Sequence, residues 1–135
     1  MTLREIYTAL EGFAQTIPDI KLCIENDVLR LNETREAKYA VFAITQNEHT
    51  SEQGWMTYGL NLFYIDRLVN SEDNEVQVQS HAIEILRQIL KMAVENGIAV
   101  GEARYTAFHQ RFQDLCTGAV ATATFTVPDS DCVEL

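Results

Sequence analysis

The chain has 135 residues, of which 47% are hydrophobic and 22% are charged, a balance typical of one globular domain with its own core. Its 20 acidic residues outnumber its 10 Lys and Arg residues and give a formal net charge of −10. This excess of acid argues against a protein that binds nucleic acid through its phosphates, and against binding to an anionic membrane. We therefore predict no sequence-specific binding of nucleic acid.

The cysteines and the first residues indicate the compartment. Cys23, Cys116 and Cys132 are odd in number and far apart, which favours free thiols in a reducing environment over a disulfide framework. Arg4 and Glu5 interrupt any apolar signal-peptide core, and no apolar run approaches the length of a bilayer span. We therefore expect a protein that is made in the cytoplasm, or assembled into a particle there.

Residues 2–17 are predicted to form an amphipathic helix. Thr2 and Glu5 have the capping-box spacing, in which each side chain bonds a backbone amide at the helix start. Apolar residues then recur at steps of three and four, and Pro18 ends the pattern. The stripe favours a helix packed on a sheet, with a partner-binding helix as the alternative.

The next segment is predicted to contain two short strands, 20–23 and 28–31. The turn between them, at 25–27, contains Asn and Asp, which tolerate positive φ. Residues 32–38 are polar and indicate a loop.

A long hairpin is predicted at the centre of the chain. Residues 39–45 are β-rich and uncharged, as expected of a buried strand. Residues 46–55 are polar without apolar periodicity, which predicts a projecting loop. Residues 56–68 form the second strand, and the period of two places these apolar side chains on one face: Met56, Tyr58, Leu60, Leu62 and Tyr64.

A long helix is predicted after the hairpin, at about Glu75–Glu95. Residues 76–79 alternate and could instead extend as a strand, but from residue 80 the apolar stripe is helical. Asn96 and Gly97 end the helix, because Gly adopts the left-handed conformation past a last turn.

Two closing strands complete the predicted fold. They lie at 104–110 and 119–127, and the turn between them, at 111–118, is expected to be pinned by Phe112 and Leu115. The acidic segment at 129–135 is expected to be loose. The element order predicts a single α+β domain, with a mainly antiparallel sheet, a long central hairpin and two helices on one face.

The sequence contains no recognisable catalytic, metal or cofactor motif. His49, His81 and His109 lack a second ligand at metal spacing, no CxxC occurs, and the glycines are isolated. Asp66 and Arg67 are interpreted as an ion pair at a strand end. We therefore predict no catalytic residue, no metal ligand and no cofactor.

Surface features indicate contacts with other proteins. The expected loop at 46–55 ends in Trp, a common interface anchor, although Trp is equally common as a core plug. The strand at 119–127 alternates Thr with Ala and carries no charge, so it lies either inside the sheet or at an edge near a subunit interface. The candidate interface residues are Glu48, His49, Gln53, Trp55, Thr122, Thr124 and Thr126.

Two stretches resemble the tail-terminator and tail-completion proteins of tailed bacteriophages and prophages. The first is YGLNLFYIDRLVNSEDNEVQVQSHAIEILRQIL, in which a strand ending Tyr-x-Asp-Arg-Leu passes through a polar turn into a helix. The second is FHQRFQDLCTGAVATATFTVP, which resembles the closing hairpin of the same proteins. The predicted element order is also similar over nearly the whole chain.

The resemblance implies a structural virion protein rather than an enzyme. Such proteins form a ring, often of six subunits, that caps the tail tube and joins it to the neck. The loop at 46–55 would contact a ring neighbour or the tube, and an acidic pore would let DNA pass without sticking. Two other classes stay open: a small acidic binding module or secretion-type chaperone, which would be a stable dimer, and a small-molecule enzyme with polar groups converging near His81, His109 or Asp66.

Overall fold

The computed structural model describes residues 1–26, 39–67, 75–111 and 115–128. These residues form two helices and a six-stranded, mostly antiparallel sheet, and the fold is α+β as predicted. The elements are α1 (Leu3–Gln15), β1 (Leu22–Glu25), β2 (Val41–Glu52), β3 (Trp55–Arg67), α2 (Glu75–Glu95), β4 (Ala99–Val100), β5 (Arg104–Arg111) and β6 (Leu115–Pro128). The expected elements at 28–31, 32–38 and 129–135, and the side chain of Phe112, lie outside the described residues.

The sheet follows the order β1-β2-β3-β6-β4, and β5 also pairs with β6. All pairs are antiparallel except β1 with β2, which is parallel. A parallel pair needs a long connection, and 15 residues of sequence separate the end of β1 from the start of β2. The two-residue strand β4 did not figure in the sequence prediction, because a segment so short has no detectable periodicity.

Helix α1 begins with the predicted capping box. The Glu5 amide donates to Thr2 Oγ1 at 3.1 Å, and the Thr2 amide donates to Glu5 Oε1 at 3.0 Å. These bonds satisfy two of the amides that a helix start leaves without partners, which stabilises it by about 1 kcal/mol. The apolar stripe of α1 packs onto the sheet through Ile6, Leu10 and Ala14, all fully buried.

Helix α2 has the predicted bounds, and residues 76–79 belong to it rather than to a strand. Its buried stripe is Ala82, Ile85, Leu86, Ile89, Leu90 and Ala93. Gly97 ends the helix at φ 87°, as expected of a left-handed cap. The start of α2 is fixed to the sheet through Thr117 of β6, whose hydroxyl donates to the Phe108 carbonyl at 2.8 Å and accepts from Gln79 Nε2 at 3.0 Å.

The predicted projecting loop at 46–55 is wrong. Strand β2 continues to Glu52, a two-residue turn at Gln53 and Gly54 follows, and β3 begins at Trp55. Gly54 supplies the positive φ, 78°, that a tight hairpin turn requires. The tip of the hairpin is also part of the sheet, because Trp55 pairs with Pro128 of β6.

Strand β6 lies inside the sheet. It pairs with β3 from Cys116 to Pro128, and with β5 and β4 on its other side. The hypothesis that this strand is an exposed edge is therefore wrong, and the alternative of an interior strand is confirmed. The predicted turn at 111–118 is wrong in its second half, since β6 begins at Leu115 and residues 115–118 pair with β5 and β3.

The sheet has two unlike faces. One face packs against α1 and α2 and contributes the main core, including Phe42, Leu60, Tyr64 and Phe125. The other face has no helix on it among the described residues. At one end it carries a small apolar cluster, of which Val41, Ala43, Ile65 and Cys116 are fully or almost fully buried. At the other end it is polar and exposed.

Candidate interaction surface

The polar end of the helix-free side is termed the open face here. Because directly paired residues of neighbouring strands share a face, the register defines its members. They are Thr45, Asn47, Thr50 and Glu52 of β2, Trp55, Thr57, Gly59 and Asn61 of β3, Thr122, Thr124, Thr126 and Pro128 of β6, Ala99 of β4 and Arg104 of β5.

Asn61 is the centre of a hydrogen-bond network on the open face. Its Nδ2 donates to Thr45 Oγ1 at 3.0 Å and to Asn47 Oδ1 at 2.8 Å. Its Oδ1 accepts from Asn47 Nδ2 at 2.8 Å and from Thr122 Oγ1 at 2.9 Å. The amide of Asn61 is thus bonded through both atoms to three neighbouring side chains, which holds this row of the face in one arrangement.

Trp55 lies at the opposite end of the open face. Its side chain is 51% exposed, unusual for the largest apolar residue type. Between Trp55 and the Asn61 network, the hydroxyls of Thr57 and Thr126 share a hydrogen bond of 3.0 Å. The face therefore combines a hydrogen-bonded polar network at one end with an exposed aromatic residue at the other, and contact surfaces of proteins commonly combine polar and aromatic side chains.

The structure brings together four of the seven predicted interface residues. Trp55, Thr122, Thr124 and Thr126 all belong to the open face, although they were proposed on two separate grounds. Gln53 lies in the adjoining turn. Glu48 lies in the irregularity of β2 between Gln46 and His49, where the pairing shifts register.

His49 lies on the helix side of the sheet, away from the other candidates. Its ring packs edge-on against Tyr58, with centroids 5.4 Å apart. The Gly59 amide donates to His49 Nδ1 at 3.2 Å, so Nε2 carries the ring proton and donates to Gln46 Oε1 at 2.9 Å. A Cβ on Gly59 would lie 2.6 Å from the Glu48 carbonyl oxygen, so this bulge needs glycine opposite it. His49 thus has a structural role in the hairpin.

A second group of polar side chains meets near the start of α2. His81 Nε2 lies 2.5 Å from Asp19 Oδ2, and its ring packs edge-on against Tyr64 at 5.9 Å between centroids. Burial raises the pKa of Asp66, and the nearby charge of Asp19 adds to it. The contact of Asp19 with His81 could not be predicted from local pattern, because the two residues are 62 positions apart in the chain. Among the described residues, no hydroxyl or thiol is seen to hydrogen-bond to His81.

A third group joins α1 to β1. Arg4 donates through both terminal nitrogens to the Glu25 carboxylate, at 2.7 and 3.0 Å. Burial, together with the neighbouring Glu25, raises the pKa of Glu11 to about 7. Burial likewise raises the pKa of the Cys23 thiol to about 11, so this cysteine stays protonated and unreactive at neutral pH.

Within the described parts of the chain, no three His, Cys, Asp or Glu side chains are grouped so that they could hold a metal ion. Neither described helix is long and apolar enough to cross a membrane. No protein-family model matches the chain, and no curated protein matches it either. Among the described residues, the open face is the candidate surface for function, because it joins an exposed Trp to a hydrogen-bonded polar network.

Proposed function

We propose that this protein is a structural component of a tailed-phage virion, acting as a tail terminator, tail-completion or head–tail joining protein. It works as an oligomeric ring through contacts with copies of itself and with tube and neck proteins, and needs no cofactor. The observation that carries the proposal is the open face: exposed, internally hydrogen-bonded and formed by the three longest strands.

The resemblance of two sequence stretches to tail-terminator proteins supplies the virion context. Both stretches fall on elements that build the open face: the first includes most of β3, and the second includes all of β6. The net charge of −10 agrees with a ring around DNA, because acidic walls repel phosphate and prevent binding.

Native mass spectrometry of the full chain tests the assembly part of the proposal. The expected result is a ring-sized multiple of 15.3 kDa, or a monomer that becomes a ring when tail tube is added. A stable dimer that captures an unfolded client would instead support the secretion-chaperone alternative. The genes beside this one provide a further test, since a terminator gene should lie among those for tube and head–tail joining proteins.

The DNA-passage part has a test of its own. Acidic residues that lie on the inner wall of the ring would be replaced by their amides, and DNA ejection from assembled particles would be measured. Slower or incomplete ejection is expected, because the wall would no longer repel phosphate. Unchanged ejection, or a ring whose acids all lie on its outer rim, would remove charge from the mechanism.

A further inference from the structure

The open face differs in charge from the rest of the chain. The protein has a net charge of −10, yet the residues of the open face include one carboxylate, Glu52, and one guanidinium, Arg104, so their charges sum to zero; at the edge of the face, Arg104 Nη2 lies 3.9 Å from the carboxylate of Glu102. These two residues lie in different end rows of the face, Glu52 in the row of Trp55 and Arg104 in the row of Asn61. Its centre consists of Thr and Asn side chains.

Like-charged copies of a protein repel each other over most of their surfaces. At physiological ionic strength the repulsion extends about 8 Å, so contact is disfavoured wherever carboxylates face carboxylates. Two copies of this chain meet with least repulsion through surfaces that lack a net charge. The open face meets that condition, so charge favours a second copy as its occupant.

Several side chains of the open face are already held in place by hydrogen bonds before any contact with another copy forms. Asn61 is held by Thr45, Asn47 and Thr122, and Thr57 is held by Thr126, so few side chains lose freedom on docking. The Asn61 amide uses all of its donors and acceptors within the face, whereas the Asn47 amide and the hydroxyls of Thr57 and Thr126 have capacity left, with which the same groups of another copy can pair. The exposed Trp at the rim adds an apolar contact at little entropic cost.

The size of the face sets the strength of the contact. Four strands about 4.8 Å apart, with six residues at about 3.3 Å each, cover about 400 Å² per copy. A standard stable interface buries about 800 Å² per partner, so this face is half that size. A pair formed through it is weak and depends on protein concentration.

We infer that two copies of this chain associate face to face through the open face, in an isologous contact that uses the same residues on both. This contact is separate from those that would close the proposed ring, because a ring is built from head-to-tail interfaces and an isologous contact joins only two copies. The open face would then carry contacts between rings, and contacts within a ring would use other surfaces of the molecule. The face-to-face contact therefore concerns the protein both before assembly and where two rings would meet.

Analytical ultracentrifugation of the full chain, from micromolar to about millimolar concentration, tests this inference with two variants of equal charge. Thr122→Glu adds a carboxylate to the row of Asn61 and Arg104, so that two copies meeting face to face would bring together four carboxylates and only two guanidiniums. Gln88→Glu places the same charge on the exposed side of α2, across the sheet. Circular dichroism confirms that both variants fold.

The wild type is expected to rise from 15.3 kDa towards twice that mass with concentration. Thr122→Glu should weaken this association at least about tenfold, and Gln88→Glu less than about threefold. Equal weakening by both variants would mean a general charge effect and would overturn the inference. So would a wild type that shows no concentration dependence.

An NMR titration of the wild type keeps the inference testable if Thr122→Glu does not fold. Amide signals of Thr45, Asn61 and Thr122 should shift with concentration, whereas those of the exposed side of α2 should not. Shifts confined to other surfaces would contradict the inference. If two copies associate through the open face but no ring forms, the inference stands and the proposed function is wrong. If a ring forms but copies do not associate through the open face, the proposed function stands and the inference is wrong.

Discussion

Replacing Glu11 by Gln should make the protein more stable at alkaline pH and leave it nearly unchanged at acidic pH. Glu11 projects from α1 towards β1, where burial and the neighbouring Glu25 raise its pKa from 4.5 to about 7. The folded protein therefore holds a proton on Glu11 that the unfolded chain releases. Gln cannot ionise, so the variant never places a second negative charge beside Glu25.

The sign and size of the effect follow from proton linkage. Between pH 4.5 and about 7 the folded state binds more protons than the unfolded state, so stability due to this group falls as pH rises. Its contribution is fully present below 4.5 and is lost above about 7. The full interval corresponds to about 3 kcal/mol, which solvent screening of this partly exposed side chain reduces to about 1–2 kcal/mol.

Urea unfolding at pH 4.5, 6 and 8 measures this difference. Subtracting the wild-type free energy from that of Glu11→Gln removes every titration that the two proteins share. The difference should grow from near zero to about 1–2 kcal/mol in favour of the variant. Glu95→Gln, at the exposed end of α2, reports the effect of removing one negative charge from the chain as a whole. If the free energies of unfolding of wild type and Glu11→Gln differ by the same amount at all three pH values, then burial and Glu25 do not raise the pKa of Glu11.

Four further substitutions test other parts of the fold. Gly118→Ala should destabilise by about 2–4 kcal/mol in urea unfolding, because a Cβ there would overlap the backbone of β3, whereas Gly12→Ala in α1 has open space and should stabilise by about 0.5–1 kcal/mol. Thr117→Val, which keeps the shape of a fully buried side chain but removes its hydrogen bonds, should cost about 1–3 kcal/mol and speed hydrogen exchange in the first turns of α2. His49→Ala should lower stability by about 1–2 kcal/mol and speed exchange of the Gly59 amide, which loses its acceptor; an unchanged exchange rate would refute that role.

The elements whose buried residues recur at a regular spacing could be predicted from the sequence. The helix Glu75–Glu95 and the strand now called β6 both pack one complete side on the core, so their apolar periods of 3.6 and 2 are strong. The segment at 46–55 could not be predicted in this way. Around its bulge, β2 is mostly exposed on both sides, so its residues are polar and look like a loop. Gly54, two residues after Glu52, was the available sign of a tight turn.

The candidate surface could be predicted only in part. Alternation indicated that Thr122, Thr124 and Thr126 share one side of a strand, and the structure confirms it. That Asn61 would be bonded to Thr45 and Thr122 depends on the register of three strands, which local pattern does not fix. The same holds for contacts between distant segments, such as that of Asp19 with His81.

The position of β6 has a consequence for how the chain reaches its fold. It is the last strand in the described sequence, yet it fills the middle of the sheet and is the strand with which both β4 and β5 pair. During synthesis, the edge of β3 that pairs with β6 therefore lacks its hydrogen-bond partners until residues 115–128 have been made. We expect chains that stop before Leu115 to aggregate rather than to keep a partial fold, because an unpaired edge of 13 residues recruits other strands.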